Sequence, residues 1–164
     1  MRYFRLGMPL LIAAALAVAC GSGGGGGGGQ VSIVSGTYKA SNATIQQDQC
    51  GFWSPPTQWT GLDGTTAVVT VGASSITYQP AGLPAETFVK TGNVWDAHFD
   101  TPSDNHYPPV GCITHDIEDV IIQITANNQF RLTDNFQATM VSGTGCSALT
   151  LPCSSSAYVD YVKQ

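Results

Sequence analysis

The sequence predicts an all-β domain of seven or eight antiparallel strands that succeed one another as a meander and close into a small barrel. Three observations predict it. Apolar and polar residues alternate with a period of two, turn residues separate these segments, and no stretch shows the three-and-four spacing of an amphipathic helix. A meander removes its exposed edges when the last strand pairs with the first. A two-sheet sandwich is the alternative, because strand patterning does not distinguish closure from stacking.

The clearest strand pair covers residues 119–126 and 130–141. Asn127 and Asn128 lie in the connection, and asparagine tolerates the positive φ of a tight hairpin turn. Alternation places one set of side chains toward the core. This predicted inward set is Val120, Ile122, Ile124, Ala126, Phe130, Leu132, Phe136, Ala138 and Met140.

The other strands follow from the same alternation. They are predicted at residues 36–45, 67–71, 76–79, 87–90, 94–99 and 157–163. Within residues 94–99, Trp95 and Phe99 are predicted to face inward together with Ala97, while Asp96 and His98 face outward. Each strand therefore has one core face and one solvated face, as expected for a domain over residues 35–164.

The N-terminus carries an export signal. Arg2 and Arg5 precede an apolar run over residues 8–19, which ends in small residues. This is the pattern of a secretory signal peptide, assigned to residues 1–19. A membrane-spanning helix needs about 20 apolar residues. A permanent transmembrane anchor is therefore the weaker interpretation, since glycines follow the run almost at once.

The sequence Leu-Ala-Val-Ala-Cys at residues 16–20 resembles the lipobox of bacterial lipoproteins. The resemblance implies that Cys20 becomes the first mature residue and carries acyl groups, so that the membrane is a partner. Gly21, next in sequence, implies the outer membrane by the same resemblance. An ordinary secreted protein cut after Ala19 is the alternative. Residues 20–34, which include seven consecutive glycines, are predicted to be a flexible tether.

Charge excludes one class of partner. Six basic residues against eleven acidic ones give a net charge of −5, and two of the basic residues belong to the signal peptide. The domain therefore has no basic patch to hold a phosphate backbone, and no nucleic-acid partner is expected.

Four cysteines remain beyond Cys20, an even number in an exported chain, so two disulfides are predicted. Cys146 with Cys153 would close a short loop. Cys50 with Cys112 would then join the two long irregular segments, and we predict this pairing among the three that four cysteines allow. A zinc site is disfavoured because no Cys-x-x-Cys is present.

The sequence contains few residue patterns that indicate catalysis or metal binding. Asp96 and His98 have a spacing that metal ligands use, with His106 and His115 further along, but solvated side chains on a strand face and in a loop are the favoured interpretation. No nucleophile elbow and no zinc-protease motif are present. The sequence therefore predicts a non-catalytic protein without metal or cofactor.

Trp53 and Trp59 lie in the first long connection, with Pro55 and Pro56 between them. Two indoles so close together suggest a recognition lip for an apolar ligand or a glycan. The alternative is that they cap the end of the barrel beneath the Cys50 disulfide.

The layout of residues 36–163 resembles the small lipocalin-like barrels of bacterial lipoproteins. It shares with them an opening Gly-Thr-Tyr at residues 36–38, a cysteine after the first strand, a meander, a late cysteine pair and a closing strand that contains tyrosine. The resemblance implies the barrel but assigns no functional residue. Two functions follow as hypotheses: a module that binds a small apolar or glycan ligand, and a structural or surface-interaction lipoprotein with a packed interior.

Overall fold

The computed structural model describes residues 31–51, 53, 57–104, 111–148 and 150–164. Over these residues, eight antiparallel strands pair in sequence order, and the last pairs with the first to close a barrel. The elements are β1 (Gly36–Asp48), α1 (Thr57–Thr60), β2 (Thr66–Val71), β3 (Ser75–Pro80), β4 (Glu86–Thr91), β5 (Val94–Asp104), β6 (Ile113–Ala126), β7 (Gln129–Ser142), a 3₁₀ turn (Thr144–Ala148) and β8 (Cys153–Lys163). The predicted all-β meander is confirmed, and closure decides for the barrel over the sandwich. The fold is consistent with a lipocalin-like barrel.

Some predictions concern residues outside these ranges. The signal peptide, the acylated Cys20 and the glycine run all precede residue 31, and Pro55, Pro56 and His106 are also among the residues not described. Within the described ranges, no helix has the length and apolar character needed to span a bilayer.

The two ends of the barrel differ. One, the hairpin end, carries the tight turns β2–β3, β4–β5 and β6–β7, with Asn128 at a φ of 58° in the last of them. The segment before β1 packs here: Ile33 is buried, and the Asn128 amide donates a hydrogen bond of 2.8 Å to the Ser32 carbonyl. The Tyr38 hydroxyl donates one of 2.7 Å to the Val34 carbonyl. This end is therefore closed by the chain itself.

The opposite end, the loop end, carries the long connections and both disulfides. Cys50 bonds to Cys153, and Cys112 bonds to Cys146. The predicted count of two is confirmed, but the predicted pairing of Cys50 with Cys112 and of Cys146 with Cys153 is wrong. The reason is strand adjacency. Cys50 follows β1 and Cys153 begins its neighbour β8, while Cys112 precedes β6 and Cys146 follows its neighbour β7.

The second disulfide lies where two connections touch. Gly143, at a φ of 113°, packs so closely on the Gly111 carbonyl that a Cβ on Gly143 would overlap with that oxygen. Only glycine combines this left-handed backbone with so close an approach. The β5–β6 and β7–β8 connections therefore pack against each other directly beside the Cys112–Cys146 bond.

An aromatic layer fills the hairpin-end half of the interior. It consists of the buried side chains of Tyr38, Tyr78, Phe88, Phe130 and Tyr161. Phe130 stacks on Tyr161 with ring centroids 4.8 Å apart, and Tyr38 lies 5.2 Å from Phe130. The hydroxyls of Tyr78 and Tyr161 share a buried hydrogen bond of 2.5 Å. The hydroxyls of Tyr78 and Tyr161 therefore satisfy each other's hydrogen bonding inside the core, as buried hydroxyls require.

The predicted inward set is confirmed in most of its members but wrong for Met140, whose exposed fraction is 61%. Ala138 is the last β7 residue that pairs with β8. Beyond Ala138, β7 pairs with β6 only. Met140 and Val141 therefore extend past the start of β8 and are exposed to solvent.

Candidate functional site

Besides the buried Asp116, three carboxyl side chains lie inside the barrel, on the loop-end side of the aromatic layer. We call Glu86, Glu118 and Asp134 the acidic layer. Glu86 is opposite the inward-facing Tyr78 in the β3–β4 register, and Asp134 is opposite the buried Val120 in the β6–β7 register. Glu118 precedes Val120 by two residues and so has the same inward orientation. Three separate strands therefore direct carboxyl groups into one interior.

Asp134 is the most deeply buried of the three, with an exposed fraction of 6%. Burial raises the pKa of Asp134 well above its ordinary value, and the charges of Glu118 and Glu86 raise it further. Burial likewise raises the pKa of Glu86 to about 8, with a further contribution from Glu118. These charges act strongly on Asp134 because burial leaves little solvent to screen them. The ionisation of Asp134 and of Glu86 is thus coupled to the neighbouring carboxyl groups.

The lysine and arginine side chains of the described residues lie away from Glu86 and Asp134. The four basic residues beyond residue 30 all lie elsewhere. Lys39 and Lys90 are exposed, and Lys163 ends β8 at the hairpin end. Arg131 donates hydrogen bonds of 2.7 and 3.0 Å to Asp160, on the opposite face of β7 from Asp134. These four residues therefore provide no counterion to Glu86 or Asp134.

Several buried polar atoms in the interior have no hydrogen-bond partner in the described structure. They include Glu86 Oε2, Asp134 Oδ1 and, nearer the hairpin end, Trp95 Nε1. A buried polar atom left unpaired costs about 1–3 kcal/mol, so folded proteins nearly always satisfy such atoms with protein, water or ligand. Glu86 Oε2 and Asp134 Oδ1 are therefore available hydrogen-bond acceptors on the loop-end side of the interior.

We expect Glu86→Gln to reduce the pH dependence of stability. A carboxyl whose pKa rises from 4.5 to about 8 on folding stabilises the fold fully below pH 4.5, and this contribution is lost as pH rises through 8. Glutamine keeps the shape and cannot ionise. At pH 8.5 the variant should be more stable than the parent by about 1–2 kcal/mol, a figure reduced for the partial exposure of Glu86.

Urea denaturation at pH 4.5 and 8.5 measures this difference. Asp63→Asn is the matched control, since Asp63 is exposed and asparagine keeps the oxygen that accepts the hydrogen bond from the Ala43 amide. Equal pH dependence in the parent and in Glu86→Gln would show that Glu86 is not a buried titrating group.

The polar side chains singled out on β5 lie on the outer wall, as predicted for Asp96 and His98. His98 Nδ1 lies 2.6 Å from Asp119 Oδ1, and His115 Nε2 lies 2.7 Å from Asp100 Oδ1. The hydrogen bond to Asp119 raises the pKa of His98. In the described part of the chain, no group of three or more His, Cys, Asp or Glu side chains has an arrangement that could hold a metal ion. These residues form two imidazole–carboxylate pairs on a solvated surface.

Trp53 and Trp59 lie at the loop end, next to β1. Both are buried, at 5% and 8% exposed, and their ring centroids are 5.3 Å apart. Trp59 Nε1 donates a hydrogen bond of 2.9 Å to the Tyr158 carbonyl, and the Trp53 amide donates one of 3.0 Å to Asp48. The indoles pack on each other and on the barrel in the manner of a cap. Their contact with a ligand stays a prediction.

The acidic layer was not predicted from the sequence, although the position of each of its residues relative to the strand pattern indicated it. Asp134 has the same parity as Phe130, Leu132 and Phe136, in an otherwise apolar alternation. The other two fell just outside the predicted strands, since β4 begins one residue earlier than predicted and β6 six residues earlier. The predicted strands therefore exclude Glu86 and Glu118.

Comparison with known proteins identifies no relative: no family model, no curated protein and no solved structure matches the chain.

Proposed function

We propose that this protein is a lipid-anchored, non-catalytic protein of the bacterial outer membrane whose barrel binds a small molecule through its loop end. The anchor rests on the signal peptide and on the resemblance of residues 16–20 to a lipobox. Two disulfides in the described domain fit an exported protein, because such bonds persist in oxidising compartments.

The unpaired carboxyl oxygens of the acidic layer support binding most directly. Glu86 Oε2 and Asp134 Oδ1 are buried acceptors without a donor. An eight-stranded barrel has room for packed side chains or for one small ligand. A ligand that donates hydrogen bonds would satisfy both oxygens. Of the ligand classes expected from the sequence, a glycan or an apolar molecule with a polar group meets this requirement, whereas a pure hydrocarbon does not.

A structural or surface-interaction lipoprotein is the second candidate. The aromatic layer favours it, because this half of the interior is filled by the protein's own side chains. Any ligand is thereby restricted to the loop-end half, between the aromatic layer and the two disulfides.

Mass spectrometry of the membrane fraction tests the anchor. The mature chain should begin at Cys20 and carry added acyl mass, and Cys20→Ala should release the domain from the membrane, since burial of acyl chains provides about 0.8 kcal/mol per methylene. An unmodified soluble chain beginning at Cys20 would contradict the proposal.

Native mass spectrometry of the protein released without denaturation tests ligand binding. We expect a bound small molecule that dissociates on unfolding, and less of it in Asp134→Asn than in Asp119→Asn. An interior without any co-purifying molecule, together with a structure in which side chains fill both halves, would favour the structural lipoprotein.

A further inference from the structure

We propose that the hairpin end of the barrel docks on the anionic lipid surface of the membrane that holds Cys20, with the loop end directed away from the bilayer. The inference rests on the proposed lipid anchor, and it specifies which surface of the domain meets the membrane. The docking surface, which we call the lysine face, consists of Val31, Val34, Lys39, Lys90, Val162 and Lys163.

The segment that precedes β1 crosses the hairpin end. The Ser32 amide donates a hydrogen bond to Asn127 Oδ1, and the Ser32 carbonyl accepts one from the Asn128 amide in the β6–β7 turn. Further along, the Ser35 hydroxyl accepts a hydrogen bond from the Val71 amide at the end of β2. The chain that leads from the anchor therefore joins the barrel at its hairpin end.

The length of chain between the anchor and the barrel restricts the orientation. Residues 21–30 alone separate Cys20 from Val31. A glycine-rich chain of about ten residues has a root-mean-square span of about 17 Å and a fully extended length of about 35 Å. The two longest strands, β6 and β7, have 14 residues each. At the usual rise and tilt of barrel strands, such a barrel is about 35 Å long. Turning the loop end to the membrane would therefore require a fully stretched tether, whereas the hairpin end lies within its average span.

All three lysines of the chain lie on the hairpin-end half of the barrel. Lys90 and Lys163 are at the hairpin-end termini of β4 and β8, and Lys39 is opposite Val162 in the β1–β8 register. The segment before β1 and the turns at this end contain no aspartate or glutamate; they cover residues 31–35, 72–74, 92–93 and 127–128. The lysine charges therefore gather at one end, although the lysines are far apart in sequence.

Carboxylates are distributed differently. Asp96 and Asp160 lie on the outer wall nearer the hairpin end, where Asp96 accepts a hydrogen bond from Thr91 and Asp160 pairs with Arg131. The loop end carries the carboxyl groups of Asp48, Asp63 and Glu86. The barrel thus has a basic end and an acidic end, and an anionic surface attracts the basic one.

Exposed valines lie among the lysines. Val31 and Val34 are 45% and 48% exposed, although Ile33 between them is buried in the closed end. Val162 is 42% exposed on the outer wall beside Lys39. Lysine and valine together suit a bilayer interface. The ammonium groups contact lipid phosphates, while the lysine stems and the valines contact the boundary of the acyl chains.

Weak attraction is sufficient to orient a domain that is already anchored. Three lysines are too few to hold a free protein on a phosphate backbone. The anchor, however, keeps the domain beside the bilayer at a high effective concentration. Each lysine near an anionic surface strengthens attachment by about fivefold. The loop end then faces away from the lipid, so a small molecule can reach it from the solvent.

Quenching of tryptophan fluorescence by brominated lipid tests the orientation, because bromine quenches indoles that contact the bilayer. The mature chain, with its disulfides formed, is coupled through the Cys20 thiol to a maleimide lipid. The vesicles contain brominated phosphatidylcholine and about one-third phosphatidylglycerol. Val34→Trp places an indole on the lysine face. Val141→Trp is the matched control, since Val141 is 50% exposed at the loop end. We expect at least about twofold more quenching of Val34→Trp than of the parent, and no increase for Val141→Trp.

The lysines are tested in the Val34→Trp chain. Combining it with Lys39→Gln, Lys90→Gln and Lys163→Gln should reduce quenching to the value measured on vesicles of brominated phosphatidylcholine alone. Asp63→Asn, which removes a charge at the loop end, should leave quenching unchanged.

Circular dichroism verifies the fold of each variant, and Val31→Trp provides the test if Val34→Trp does not fold. Equal quenching of Val34→Trp and Val141→Trp would overturn the inference. Equal quenching on anionic and neutral vesicles would also overturn it, since the lysines would then have no effect. Because chemical coupling replaces acylation, a native chain without acyl mass would contradict the proposed anchor, whereas the fluorescence measurement tests the docking surface by itself.

Discussion

Replacing Cys50 and Cys153 together by alanine should lower the free energy of unfolding by about 4–5 kcal/mol. The bond joins residues 103 positions apart, and in the chain-entropy model a loop of that size contributes about 4.7 kcal/mol by restricting the unfolded chain. It also joins the loop-end termini of β1 and β8, the strand pair that closes the barrel. This is the largest single effect we expect.

The matched comparison is the pair Cys112→Ala and Cys146→Ala. Its loop is shorter, with a separation of 34, and the same model gives about 3.8 kcal/mol. In urea denaturation, the variant without Cys50–Cys153 should therefore lose more unfolding free energy than the variant without Cys112–Cys146. Equal or reversed losses would mean that strain or residual structure in the unfolded chain outweighs loop entropy.

Phe130→Ala should destabilise the fold by about 3–5 kcal/mol, as for other large-to-small changes in a packed core. Phe130 is completely buried and contacts rings on two other strands, Tyr38 on β1 and Tyr161 on β8. Its removal would leave a cavity in the aromatic layer at the seam of the barrel. Thermal and urea denaturation both measure the loss.

Val68→Ala is the control, since Val68 is an apolar residue of β2 that is half exposed on the outer wall. Its effect should stay within about 0.5 kcal/mol. A Phe130→Ala loss as small as this would show that the aromatic layer collapses around the vacated space or was loosely packed.

The candidate site was harder to predict from the sequence than the strands. Alternation identifies an inward position only where the inward residues are apolar, so the rule works for Val120 and Ile122 and fails for Asp134 in the facing strand. Glu86 and Glu118 show the related difficulty at strand ends. A carboxylate near a turn has the sequence pattern of a solvated loop, and only the neighbouring strands reveal that it faces the interior.

The disulfides show a different difficulty. Sequence separation favours Cys146 with Cys153, which are seven residues apart. In the fold, each cysteine is adjacent to the end of a neighbouring strand instead, and this adjacency depends on the closure of β8 onto β1 and on the register of β6 with β7.

The sequence by itself determined the all-β class, the order of the strands, the outward position of Asp96 and His98, and the presence of two disulfides, because alternation and cysteine number are local properties of the chain. The tertiary structure alone decided closure, the cysteine partners, the burial of Trp53 and Trp59, and the meeting of three carboxyl groups inside the barrel. These features depend on which strands become neighbours and on how far each strand extends. Both are set by packing between residues distant in sequence, which no local pattern records.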